Sequence, residues 1–261
     1  MDFHIFSNEL ETRVIAVYSN KIKNKIRFAL ISDLHSSVYG EGQCELLKAV
    51  RENSADAVLY AGDIFDSRQD DEKAKELLSG LSDYPCWFVT GNHEMKNTDG
   101  ERNRQTVRSY GISVLQGTEE TAVINGQRVA ICGVDDSYDS DEEFERQIEN
   151  IKSPVTGDYR IFLLHNPEVM SVYDTVKTDL MVCGHLHGGQ WRLPCFNRGL
   201  VSARRTLFPK YSSGYYNVKG IDLVVSRGLS KTSTKIPRIF NRPEIIFIDV
   251  CPLHENVQKS K

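Results

Sequence analysis

A mixed α/β sandwich is the fold class that this sequence predicts, on three observations. Short apolar runs rich in β-branched residues alternate with amphipathic helical patterns through the first part of the chain. Hairpin signals take over afterwards. Each principal apolar run stops abruptly at Gly, Asp, Asn or His, as buried strands bounded by turns do.

The elements can be taken in order. KIRFALIS (25–32) runs into Asp33. In QCELLKAVREN, Leu46, Leu47 and Val50 share one face, which marks a helix. DAVLYA (56–61) runs into Gly62-Asp63, and DDEKAKELLSG repeats the helical spacing with Ala74, Leu77 and Leu78. CWFVT (86–90) meets Gly91-Asn92-His93. Thr121–Ile124, Asn125-Gly126 and Gln127–Cys132 form a hairpin signal, because Asn-Gly supplies the positive φ angles of a tight turn. An acidic helix is predicted over 140–152. RIFLL (160–164) meets His165, after which Met170 and Tyr173 read as helix core, and DLMVC (179–183) meets Gly184-His185. The chain shows no internal repeat and no low-complexity linker, so one domain is expected over 1–261.

Composition bounds the function. Hydrophobic residues at 40% and charged residues at 26% are ordinary for a soluble globular chain and exclude a disordered one. The formal net charge of −4 does not advertise a nucleic-acid partner. No apolar run approaches the roughly 20 residues that span a bilayer, and the N-terminus lacks a basic n-region. The expectation is a cytoplasmic protein that meets a membrane at most at its periphery, with no obligate protein partner. Six scattered cysteines, with no CxxC pair, read as small buried hydrophobes rather than a disulfide framework.

The chemistry sits at the strand ends, where open α/β sheets bind ligands. Asp33-x-His35, Gly62-Asp63-x-x-Asp66, Gly91-Asn92-His93-Glu94, His165 and Gly184-His185-x-His187 each follow a predicted strand. Of seven histidines, five (35, 93, 165, 185 and 187) lie there, and only His4 and His254 lie elsewhere. Any one of these pieces is weak, since DxH recurs by chance and a lone histidine is commonly a hydrogen-bonded core residue. All five in this order point to metal ligation. Imidazole, carboxylate and amide oxygen suit Mn, Fe or Zn better than a thiolate site would. Paired ions typically stand about 3.5–4 Å apart, a distance that a shared carboxylate bridges.

In DLH, GDIFD, GNHE, the isolated histidine and GHLHGGQ, the chain resembles the calcineurin-like metallophosphoesterase superfamily over nearly its whole length. That resemblance implies a four-layer αββα sandwich of two mixed β-sheets flanked by helices. It implies two divalent ions, one held by Asp33, His35 and His187, the other by Asn92, His165 and His185, with Asp63 between them. It also implies that His93 donates a proton or stabilises charge at the phosphate, oriented by Asp66. Independent chemistry agrees: paired cations make hydroxide available near neutral pH, and an imidazole backed by a carboxylate can protonate a leaving oxygen.

GHLHGGQ, with Trp191-Arg192-Leu193-Pro194, VSRGLS (225–230) and NRPEI (241–245), further resembles a bacterial branch that includes cell-envelope phosphoesterases and a UDP-diacylglucosamine hydrolase. Members often carry an N-terminal membrane segment, which is not found here. The implied substrate is a small or lipid-linked phosphodiester or pyrophosphate. A phosphomonoesterase or protein phosphatase is the alternative among enzymes, although Ser67-Arg68 follows Asp66 where the serine/threonine protein phosphatases carry Asp-Arg-Gly. A non-catalytic metal-binding module is the alternative outside them.

Residues 186–242 hold eleven Lys or Arg (192, 198, 204, 205, 210, 219, 227, 231, 235, 238 and 242) and one acid, Asp222. That excess of +10 leaves the remainder near −14, given the total of −4. Three readings stand: a surface whose charges balance acids elsewhere, a lid with aromatics over an anionic substrate, and a nucleic-acid groove. The second is favoured, because no recognised nucleic-acid motif appears. Arg192 and Gly188 are the candidate substrate contacts, with Gly188 and Gly189 letting backbone approach the bound group.

Overall fold

A computed structural model describes residues 6, 8–96, 100–136, 141–169, 172–193, 199–201, 207–231 and 237–253. Met170, Cys195, Phe196, Arg198, Arg204, Arg205, Lys235, His4 and His254 lie outside the described residues.

Alternation of side chains along the strands builds the layers. In β2 (Ile26–Ile31), Phe28 and Leu30 enter one core while Ala29 and Ile31 enter another. In β8 (Tyr159–Leu163), Tyr159, Ile161 and Leu163 face that same first core while Phe162 faces a third. The first core therefore lies between two sheets, and each sheet's outer face is covered by helices.

Among the described residues each sheet has six strands. The first runs β1 (Glu11–Ser19), β12 (Glu244–Pro252), β2, β3 (Ala57–Ala61), β4 (Cys86–Val89), β5 (Ser113–Val114). The second runs β10 (Gly214–Val218), β11 (Ile221–Val225), β9 (Leu180–Cys183), β8, β7 (Gln127–Gly133), β6 (Thr118–Ile124). Both are mixed: β2, β3, β4 and β5 are parallel while β12 pairs antiparallel with β2, and β11, β9, β8 and β7 are parallel between two antiparallel edge strands. Helices α1 (Cys44–Glu52) and α2 (Glu72–Gly80) pack on the first sheet. On the second lie α5 (Asp141–Ile151) and the short α6 (Val172–Thr175), with Tyr173 buried in that core. The four-layer αββα arrangement is the one expected.

The predicted hairpin is β6–β7, turning at Asn125 (φ 50°) and Gly126 (φ 72°). Several elements are new to the structure, β5, β10, β11 and β12 among them. β1 alternates buried and exposed residues at a sheet edge, and α4 (Gly100–Ser109) follows the short α3 (Asn92–Met95). The five described cysteines form no disulfide, and Cys86, Cys132 and Cys183 are buried. Among the described residues no helix is long and apolar enough to cross a membrane.

Candidate metal and phosphoester site

Parallel strands of both sheets end on one rim, and the polar residues that stop them converge there. Three groups of side chains place their ligand atoms within 4.8 Å of one another: Asp33, His35 and His187; Asp63, His165 and His185; and His35, Asp66 and His93. These hold eight of the predicted site residues. Asn92, an amide, joins the rim at the first position of α3.

Local backbone geometry aims these side chains. Asp33, His35, Asp63, His185 and His187 all adopt positive φ, between 47° and 72°. Non-glycine residues rarely do so, at a cost of order 1–3 kcal/mol each, and such conformations persist where surrounding bonds over-determine them. Those bonds are present. Asp33 N–H donates to Gly62 O at 2.9 Å and His35 N–H to Asp63 O at 3.0 Å, so the first two strand-end loops lock together. Across the sheets, His185 N–H donates to the Asp33 carboxylate at 3.0 Å.

The His165 ring defines its own tautomer. Nδ1 stands 2.7 Å from Ala61 O, an acceptor, so Nδ1 carries the proton and Nε2 is left for a ligand. That Nε2 lies 3.3 Å from Asp63 Oδ2 and 3.0 Å from His185 Nδ1. His35 Nε2 lies 3.5 Å from Asp63 Oδ2 on the other side, so Asp63 stands between the two histidine groups. His187 Nε2 is 3.8 Å from Asp33 Oδ1, and its ring stacks on His35 with centroids 5.2 Å apart.

The electrostatics suit cations. Asp33, Asp63 and Asp66 are almost completely buried, and the ion pairs of Asp33 and Asp63 are with imidazoles. Burial pushes the Asp33 carboxyl up. Burial opposes ionisation of Asp63 as well, but His165 and His35 more than offset it and hold that carboxyl well below the usual range. Burial and His35 hold His187 well below the usual imidazole range, in the neutral form that ligates metals. Asn92 Oδ1, His35 Nε2 and His187 Nδ1 are buried without a hydrogen-bond partner. Buried polar atoms normally have partners, so these three are candidate ligand atoms. The donor set, carboxylate and imidazole with one amide oxygen, fits divalent cations of the Mn, Fe and Zn kind.

His93 borders these groups at the edge of an open cleft of about 280 Å³, lined also by Phe65, Asp66, Ser67, Gln69, Asp70, Asp71, Arg102 and Asn103. Its Nδ1 lies 3.6 Å from Asp66 Oδ1, while Asp66 Oδ2 lies 3.3 Å from His35 Nδ1. Burial notwithstanding, those two histidines hold the Asp66 carboxyl far below its ordinary value, so it faces both rings as an anion.

The remaining two predicted contacts are placed differently. Arg192 is buried and its Nη1 donates to Gly188 O at 3.0 Å. Gly188 has φ +68°, and a Cβ there would stand 2.4 Å from Asn241 Oδ1 and 2.8 Å from Arg227 Cγ. Its close approach is thus to neighbouring side chains, and Arg192 braces the same turn.

Sequence reasoning assigned no role to several residues that build the rim. The Glu94 carboxylate accepts four backbone N–H groups, and burial with the adjacent Asp63 charge pushes it up to about 7. Asp135, beyond β7, accepts from Thr90 Oγ1 at 2.8 Å, just before Gly91. Asn241 Nδ2 donates to His187 O at 2.7 Å. Two of these had a visible signal: Glu94 stands in GNHE, and Asp135-Asp136 follow the strand RVAICGV as candidate ligands follow the others.

A family model described as calcineurin-like phosphoesterase matches residues 26–189, which include every residue of the three groups. The chain is 24% identical over 233 residues to the uncharacterized metallophosphoesterase YkoQ of Bacillus subtilis, covering 86% of this chain and 83% of that one. It is 29% identical over 152 residues to the phosphodiesterase YaeI of Escherichia coli, covering 55% of this chain and 53% of YaeI. Its fold is similar to the crystal structure of TT1561 of Thermus thermophilus, at a TM-score of 0.55 and 14% identity, covering 80% of this chain and 92% of that one. Matched over more than half its length, the chain belongs to the calcineurin-like phosphoesterase family and is a metal-dependent phosphoester hydrolase.

Proposed function

We propose that this protein hydrolyses a phosphodiester or pyrophosphate bond of a small or lipid-linked anionic substrate, with two divalent cations at the rim. The observation that carries this is the grouping of Asp33, His35 and His187 on one side of Asp63 and of His165 and His185 on the other. Asn92 completes the second set with its partnerless Oδ1. When bound, the cations supply an activated water and neutralise charge on the phosphate.

The chain's own residues do the rest. His93 holds a proton for the leaving oxygen on Nε2, with Nδ1 turned toward Asp66. A separation of 3.6 Å is longer than a formed hydrogen bond, as is common before substrate arrives. Asp66 is fixed by the Arg68 N–H at 2.9 Å. Only Phe65 among the nine residues lining the adjoining cleft is apolar, which favours a polar leaving alcohol there. Arg192 holds the Gly188 turn and with it His187.

Two observations support the lipid-linked form and peripheral membrane contact. A small irregular ribbon begins three residues past His187, pairing Gln190 with Val201, Arg192 with Gly199 and Val201 with Leu207. It exposes Trp191, Leu193, Leu207 and Phe208. In sequence Arg204, Arg205 and Lys210 flank the last two, a basic and apolar pattern suited to an anionic lipid surface. The similarity to a phosphodiesterase supports diester chemistry.

The test is turnover of bis-p-nitrophenyl phosphate against p-nitrophenyl phosphate, after chelation and Mn²⁺ re-addition, beside His93→Ala. Metal-dependent diester hydrolysis that falls about 10²–10⁴-fold in the variant, with metal content retained, is expected. Preference for the monoester would overturn the diester reading. Bound metal without turnover of either would point to a non-catalytic module.

A further inference from the structure

Glu94 does more than cap α3. Its Oε2 accepts Gly91 N–H at 2.8 Å, the ordinary capping bond to the residue before the helix. The same oxygen accepts Asp63 N–H at 2.8 Å, and Oε1 accepts Ile64 N–H at 2.6 Å and Phe65 N–H at 3.0 Å. Three of the four bonds therefore reach across about thirty residues of sequence to the loop of another strand. A return bond closes the circuit, from His93 N–H to Asp63 Oδ1 at 2.7 Å. Glu94 is fully buried, and its own carbonyl is held by Asn103 Nδ2 at 3.0 Å.

The two loops so joined carry Asp63, with its left-handed φ of 54°, and Asn92. A single carboxylate that accepts two amides on each oxygen fixes the separation of these loops and holds Asp63 in a conformation its backbone disfavours. We propose that Glu94 is a positioning residue that sets Asp63 and Asn92 at the spacing needed to hold cations on both sides of Asp63. The proposal rests on the reading of those two residues as ligands.

Glu94→Gln tests it, because the amide NH₂ must replace one of the two oxygens. Either choice leaves two backbone N–H groups without an acceptor and facing another donor. Mn²⁺ binding by calorimetry, kcat and KM for bis-p-nitrophenyl phosphate, and Tm would be measured for both proteins. The expected result is half-saturation by Mn²⁺ shifted upward about 10–100-fold, the range for supports behind a ligand, with kcat lowered and KM unchanged. A variant with lower Tm but wild-type Mn²⁺ affinity and kcat would overturn the proposal, leaving Glu94 merely structural. Amide exchange in the wild-type protein gives a second reading that requires no folded variant. Mn²⁺ should raise protection of the 63–65 and 91 amides together, and unchanged exchange there would also overturn it. Wild-type protein that binds no Mn²⁺ would instead overturn the ligand assignment itself.

Discussion

Replacing Gly91 by alanine should disable the site without unfolding the protein, and the structure sets the size of the effect. Gly91 has φ −103° and ψ −177°, extended backbone that alanine adopts freely, so no conformational strain enters. The added Cβ would stand 2.3 Å from Asp63 Oδ1 and 2.6 Å from Asp63 N, against 3.4 Å or more for ordinary contact. One of those atoms is backbone and cannot swing aside, so Asp63 and the GNHE loop must part by about 1 Å, the scale of misplacement that costs about 10²-fold in rate. Overpacking of this kind destabilises by about 1–3 kcal/mol, or roughly 2–4 °C in Tm per kcal/mol at this chain length. Gly157→Ala is the control, since nothing lies within 4 Å of a Cβ there and its φ is not positive. The assay is kcat/KM for the diester at saturating Mn²⁺ together with a thermal melt. Wild-type activity in Gly91→Ala would refute the claim that the position of Asp63 sets the rate.

Three other perturbations separate parts of the reading. Asp66→Asn removes the anion that faces both His35 and His93, and kcat/KM should fall about 10–100-fold, measured on the same diester. Leu207→Asp with Phe208→Asp should abolish co-sedimentation with vesicles containing phosphatidylglycerol while leaving soluble-substrate turnover unchanged; wild-type protein that ignores such vesicles would remove the membrane contact. At the far end of the first sheet, Arg27 grips Asp249 through Nε at 2.5 Å and Nη2 at 2.7 Å, and this bond holds the carboxyl below its ordinary value. A depressed carboxyl stabilises above its unfolded pKa of 3.8 and loses that contribution as pH falls through the folded value. Asp249→Asn should therefore cost about 1 kcal/mol near pH 7 and nothing in strong acid, so the two melting curves should converge below about pH 4.

The parts of the molecule legible in the sequence were those with a local signal. Phe28 and Leu30 on one face with Ala29 and Ile31 on the other are hydrophobic on both, which is why the run reads as a buried strand. Each such run ends at the rim, so Asp33, Asp63, Asn92, His165 and His185 announce themselves by position. Asn125-Gly126 announces its turn through φ alone. What was not legible acts across distance. Glu94 matters because its oxygens meet amides of residues 63–65, and Asn241 because its Nδ2 meets His187 O; no spacing in the sequence encodes either contact. β1 escaped notice because TRVIAVYS mixes exposed Val14 and Tyr18 with buried Ile15 and Val17, and only its pairing with β12 makes it a strand.

The basic stretch shows why charge counts mislead. An excess of +10 over 186–242 suggests a field over the substrate, but Arg192, Lys219, Arg227, Lys231, Arg238 and Arg242 are tied to the protein. Arg227 pairs with Glu244 at 2.7 Å and Glu11 at 3.0 Å, fastening the loop after β11 to the starts of β12 and β1. Arg238 is buried and donates to Arg227 O, Gly228 O and Ser230 O. That loop in turn lies on Asp33: a Cβ at Gly228 would stand 2.5 Å from Asp33 Cβ, and Leu229 N–H donates to Asp33 O at 3.2 Å. Lys219 pairs with Asp174, Arg242 with Glu9, and Lys231 donates to Val38 O above the Tyr39 ring. A buried guanidinium bonded to three carbonyls, as Arg238 is through Nε and Nη2, rigidifies the loop it holds. Arg192, Arg227 and Arg238 thus brace the loops beside Asp33 and His187, both of which hold left-handed conformations.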